Sequence, residues 1–258
     1  MKLYKTKPLT SNTPLFCPKE WMNNHNENGM LLRLIANMRL LGEFLRKTHP
    51  TFFSISDYKG VLATILIPSK ELHQNLNKPG DIDMLVIPYT EDNIIFSESL
   101  TVEAKVIRAS YERQGKSPKK FGFTQAQGLY DIGFPYVAVC HFIVSDISPS
   151  HTWEKMLVGT VGNNDTLHSL RECFIDRLPL SLIERAQGRL LNNRKNPHIG
   201  LCICYMNSDY HSNDDFFMPE GSVCTKNMSN LEFVTYIEKY YRKNWRRFFN
   251  ILKNKPQE

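Results

Sequence analysis

The chain has 258 residues and a net charge of +6, room for one large domain or two small ones at roughly 150 residues each. Its 41% hydrophobic and 22% charged residues match an ordinary globular mixture, which excludes wholesale disorder. No apolar run reaches the roughly 18 residues of a bilayer crossing, and the lysines of residues 1–8 have no apolar stretch behind them. The reading is therefore a cytoplasmic chain with no membrane span and no secretory signal.

In chain order, Leu31, Leu34, Ile35, Met38, Leu41 and Leu45 recur at helical spacing and predict an amphipathic helix over 31–47. Apolar runs then predict strands over 61–67, 82–88 and 94–107, the last broken near 97–100, with a turn over Thr90–Asn93. A helix over 122–132 is stopped by Gly133 and Pro135, and 136–144 reads as a buried strand. Loops are expected around Pro149 and over 159–165, then a helix over 166–192 bent or split at Pro179. A strand over 199–205 and a polar, turn-rich stretch over 207–221 follow. Ser229 and Glu232 have the spacing of a capping box for a last helix running to about residue 254. The succession predicts one three-layer α/β domain over 1–220, its core over 31–146, followed by a basic, aromatic C-terminal helix over 221–258.

The chemistry sits in two strands. Asp83 is embedded in the apolar run Ile82–Leu85, and Val102-Glu103-Ala104-Lys105-Val106 follows twenty residues later. Residues two apart on a strand share a face, so Glu103 and Lys105 point one way while Val102, Ala104 and Val106 fill the other. Pairing of the two strands would add Asp83 to that face. Burying two carboxylates and an ammonium for stability alone is unfavourable, because each loses hydration worth several kcal/mol. A divalent cation bound by hard oxygen ligands changes that balance.

Asp83, the pair Glu103 and Lys105, and a glutamine of Phe123-Thr124-Gln125-Ala126-Gln127 together resemble the signature of the PD-(D/E)xK nuclease superfamily, with Gln125, closer to the helix's buried face, favoured over Gln127. The family's proline is displaced here to Pro79, ahead of Gly80, and Asp81 competes with Asp83 from the edge of the apolar run. The likeness covers 82–144 and, more loosely, the helix over 31–47, where Glu43 is the candidate for a glutamate that members often hold near the metal. It implies a restriction-endonuclease-like fold, a three-layer α/β arrangement with a mixed central sheet flanked by helices. It also implies Mg2+, replaceable by Mn2+, held by Asp83, Glu103 and the Ala104 carbonyl. Lys105 would activate water or stabilise charge, and Gln125 would orient the site. The implied activity is hydrolysis of phosphodiester bonds, foremost in double-stranded DNA, in a setting such as restriction or anti-phage defence. A homodimer, or an ATPase or helicase partner, fits that setting. The alternatives are a catalytically inactive nuclease-like subunit for DNA binding or assembly, and an unrelated fold whose acids form an ion-pair network.

Between the strand and the Gln-bearing helix, Arg108, Arg113, Lys116, Lys119 and Lys120 face one acid, Glu112, and are expected to contact nucleic-acid backbone. The final helix interleaves lysines and arginines with Tyr240, Tyr241, Trp245, Phe248 and Phe249, a pattern open to either nucleic-acid binding or docking. Gly115-Lys116-Ser117 lacks the first glycine of a phosphate loop. The six cysteines form no C-x-x-C pair and are expected as reduced thiols, with Cys202 and Cys204 acting as small hydrophobes on an apolar strand.

Overall fold

The computed structural model describes residues 4–10, 12–23, 25–72, 81–118, 120–161, 167–207, 216–229 and 232–253. The helices α1 (Lys19–Asn23), α2 (Glu27–Ala36) and α3 (Met38–Thr48) lead into strand β1 (Gly60–Pro68) and the short α4 (Ser69–Leu72). The strands β2 (Asp81–Tyr89) and β3 (Leu100–Arg108), helix α5 (Phe123–Ile132) and strand β4 (Tyr136–Ser145) come next. A hairpin of β5 (Glu154–Val161) and β6 (Leu167–Ile175) is followed by α6 (Leu178–Asn193), β7 (Gly200–Asn207), β8 (Phe216–Ser222), α7 (Phe233–Asn244) and β9 (Phe249–Leu252).

Seven strands form one sheet in the order β8-β7-β4-β3-β2-β1-β9. The pairs β3–β4 and β4–β7 are parallel and the others antiparallel, so the sheet is mixed. Strand β4 lies near its centre with every residue buried, which is why its sequence is apolar on both faces apart from His141 and Ser145 rather than alternating. One face carries Val86, Val102, Ala138 and Cys204 and packs on α2 and α3 through Leu31, Ile35, Leu41 and Phe44. The other carries Leu85, Ile107, Val139 and Ile203 and packs on α5, α6 and α7 through Leu129, Leu182 and Ile237. The architecture is thus the expected three-layer α/β arrangement with a mixed central sheet.

Several predicted boundaries are corrected, each for a local reason. The helix read over 31–47 is two helices. Asn26 caps the first by accepting from the Gly29 N–H at 2.8 Å, and Asn37 ends it and caps the second by accepting from Leu40 N–H at 3.0 Å. Residues 167–175 are strand rather than helix, and Pro179 starts α6 instead of bending it, with Asp176 accepting from the Leu178 N–H at 3.0 Å. The stretch over 94–99 is a bridge and a 3-10 turn rather than strand. Strand β8 occupies part of the segment read as turns, and β9 pairs with β1, so the last helix stops at Asn244 and the C-terminal residues complete the sheet. The capping box does not form, since the Ser229 hydroxyl donates to Asn227.

Candidate active site

Strand β2 meets β3 in register at Val86–Leu100, Leu85–Thr101 and Met84–Val102, and the ladder ends there. One step further the two strands would pair Asp83 with Glu103; instead the Asp83 side chain takes over, its Oδ2 accepting the Ala104 N–H at 2.7 Å. A buried N–H left without its ladder partner is costly, so this bond both satisfies the backbone and fixes the carboxylate. On the other side, the β1–β2 ladder skips Leu66 and Asp83, and Leu66 holds a φ of 54°, a strained conformation for a residue with a side chain. The sequence thus releases Asp83 from both neighbouring strands and aims its side chain at β3.

Glu103 is fully buried, while Lys105 keeps 14% of its side chain exposed. Lys105 Nζ donates to Glu103 Oε1 at 2.8 Å, to the Ala104 carbonyl at 2.8 Å and to Glu27 Oε1 at 3.3 Å. Burial, reinforced by the Glu103 charge, lifts the Asp83 carboxyl to about 7 against the pull of the Ala104 N–H and Lys105. Burial alone would depress Lys105, but Glu103, Glu27 and Asp83 outweigh it and hold the ammonium charged. Three carboxylates therefore surround one ammonium, and the Ala104 carbonyl opens into the same cluster. Hard oxygens in this number suit a magnesium-sized ion that keeps several waters.

Glu27 is the residue that sequence reasoning missed. Starting the first helix at Leu31 left it outside, although Asn26 was the signal for an earlier start. Glu43, the residue chosen for that helix, lies on α3, where its Oε2 accepts from Arg46 Nε at 2.8 Å. Asp81 is exposed at the start of β2 opposite Pro68. Asp83 is the acid of that strand that reaches β3.

The loop after β3 returns over the site at Gly122. Its φ of 86° is in the left-handed region, and a Cβ placed there would lie 3.0 Å from Glu103 Cγ and 3.6 Å from Lys105 Cγ. Glycine permits both the conformation and the close approach. His141, opposite Lys105 in the β3–β4 register, donates its Nε2–H to the Phe121 carbonyl at 3.1 Å and so anchors the residue before Gly122. Burial, with a contribution from Lys105, lowers His141 to about 4 despite that bond, leaving it neutral. Gln125 stands one helical turn beyond Gly122, half-buried. Gln127 is engaged by Asp131 and Asn196.

Of the basic stretch, Arg113, Lys116 and Lys120 are exposed, and Arg108 is exposed with its guanidinium donating to the His25 carbonyl at 2.9 Å. Lys119 lies outside the described residues, as do Pro79 and Gly80. On α7, Tyr240 and Tyr241 are buried, with Tyr241 edge-on to Phe248 at 4.9 Å between ring centroids, so the aromatic face of that helix is packing. No protein-family model matches the chain, and no curated protein or solved structure matches it either.

Proposed function

We propose that this chain is a divalent-metal-dependent nuclease of the PD-(D/E)xK type with a restriction-endonuclease-like fold, hydrolysing phosphodiester bonds in double-stranded DNA. The observation that carries the reading is the Asp83 carboxylate held on the Ala104 N–H beside the buried Glu103–Lys105 pair. Mutual repulsion of Asp83 and Glu103 in a desolvated place fits a site built for a cation. Asp83, Glu103 and the Ala104 carbonyl would hold Mg2+, or Mn2+ in its place, and the ion would polarise the phosphate and acidify bound water. Lys105, already charged, would orient that water and offset the negative charge that grows on the phosphate. Glu27 would hold the Lys105 ammonium in place, and Gln125 would reach the site's rim from α5. The exposed basic residues between β3 and α5 would neutralise the phosphates that flank the scissile bond.

A second reading, a nuclease-like subunit that assembles with a partner such as an ATPase or helicase, draws on the β5–β6 hairpin. Its Leu157, Leu170 and Phe174 are 64%, 55% and 64% exposed, more apolar surface than a two-stranded ribbon standing alone normally shows. A cytoplasmic setting is consistent with both readings, and no helix among the described residues is long and apolar enough to cross a membrane. Duplex cleavage in Mg2+ by the parent chain and by Glu103→Gln separates them: the nuclease reading expects cleavage that the substitution removes, the assembly reading expects none from either.

A further inference from the structure

The loop from β3 to α5 does not stand alone. It lies against α6, where Arg185 Nη2 donates to Gln114 Oε1 at 3.0 Å and Arg189 Nη1 donates to the Lys116 carbonyl at 2.5 Å. Arg185, Gly188 and Arg189 share one side of α6 at three- and four-residue spacing. With exposed Arg113, Lys116 and Lys120 they form one basic surface, against which Glu112 and Glu184 are the acids of these two segments.

Gly188 is the unusual residue. It sits in the interior of a sixteen-residue helix, where glycine is less favourable than alanine. Its surroundings give no reason for that choice: it is exposed, and a Cβ there would meet no described atom within 4 Å. Gly115, across the Arg185–Gln114 bond, is equally open. Two bare backbone positions flanked by guanidinium and ammonium groups let an external polyanion approach closely, as glycine does wherever a backbone must come near a ligand.

We propose that the α6 face around Arg185, Gly188 and Arg189 is a second anchoring surface for the phosphate backbone of duplex DNA. It continues the basic loop away from the candidate active site and fixes the duplex at a distance from the scissile bond. The choice of duplex DNA rests on the nuclease reading; the surface itself rests on the charges and the two open glycines. Phosphate contacts of this kind position a duplex without reading its sequence.

The test is fluorescence anisotropy with short labelled duplexes of unrelated sequence, in EDTA and over a range of salt, using the full chain with Arg185→Gln or Gly188→Ala. Arg185→Gln is expected to weaken binding to all sequences alike and to lower the magnitude of the salt slope of log affinity by about 0.9. Gly188→Ala is expected to raise the melting temperature, because alanine favours the helix, and yet to weaken binding several-fold without changing the slope. Parent-like binding by both variants overturns the proposal. So does equal competition by polyglutamate, which would mark the surface as a site for acidic protein. Because no metal is present, the result is independent of cleavage. Binding that depends on α6 in a chain that never cleaves DNA in Mg2+ or Mn2+ would sink the nuclease reading alone.

Discussion

Two polar clusters are buried in the same sheet, one of carboxylates and an ammonium and one of thiols on the opposite face, and they differ in kind. At the β2–β3 split, Asp83 and Glu103 bring like charges together around Lys105, and burial leaves Asp83 with a carboxyl raised to about 7. On the opposite face, Cys140 and Cys202 are register partners, and Cys204 lies 4.0 Å from Cys140 and 3.7 Å from Cys202 between sulfurs. All three cysteines are fully buried, and no fourth His, Cys, Asp or Glu joins them among the described residues. Burial pushes the thiols of Cys140 and Cys202 well above their ordinary range, while hydrogen bonds with Cys140 and Cys202 lower the Cys204 thiol to about 5, so two neutral thiols pack around the one sulfur that can carry charge. What sets the acid cluster apart is that two buried carboxylates repel each other beside a single ammonium.

The largest expected effect breaks the acid cluster without emptying it. Glu103→Gln and Lys105→Met should each lower duplex cleavage at least about a hundredfold, measured in Mg2+ on a labelled duplex, while circular dichroism melts show the fold retained. Full activity in both would remove the chemical distinction between the two faces.

Asp83→Asn sharpens the distinction through pH. With its folded carboxyl near 7 against an ordinary 3.8, the folded protein retains a proton that the unfolded chain releases in that window. Stability associated with Asp83 is therefore present in full below about pH 4 and falls as pH rises to about 7. In metal-free denaturant titrations, Asp83→Asn should match the parent at about pH 4 and exceed it by up to about 4 kcal/mol at about pH 8. Mg2+ should then raise the parent's melting temperature and leave the variant's unchanged.

The thiol cluster should respond in the opposite pattern. Cys140→Ala removes one buried sulfur and should cost about 1 kcal/mol in urea unfolding, with cleavage unaltered and no dependence on added Zn2+. Loss of cleavage at constant stability would make the thiols more than packing. Smallest of all, Lys116→Ala with Lys120→Ala touches neither cluster. It should leave stability alone and reduce the magnitude of the salt slope of duplex affinity by up to about 1.8, read by anisotropy in Ca2+.

The central strands were legible because burial on both faces makes β4 and β7 almost wholly apolar, and the charged interruptions at Asp83, Glu103 and Lys105 stood out against that background. What escaped was set by exposure or by single caps. Leu170 and Phe174 have helical spacing, but both are exposed on the β5–β6 ribbon, so no inward-facing alternation marks it as strand. Asn37 divides α2 from α3 inside an unbroken apolar stripe, and Asn26 moves the helix start back far enough to include Glu27. Strand β9 has only four residues and is separated from a strongly amphipathic helix by only a 3-10 turn over Trp245–Arg247 and Phe248, so its pairing with β1 is a tertiary fact that local pattern does not carry.

The central claim is that the β2–β3 split binds a divalent cation through Asp83 and Glu103. Isothermal titration of the metal-free chain with Mn2+, followed by the same titration of Asp83→Asn and Glu103→Gln, tests it most directly. The expected result is saturable binding at one or two sites in the parent and its loss in both variants. Equal binding in all three chains, or none in the parent, would contradict it.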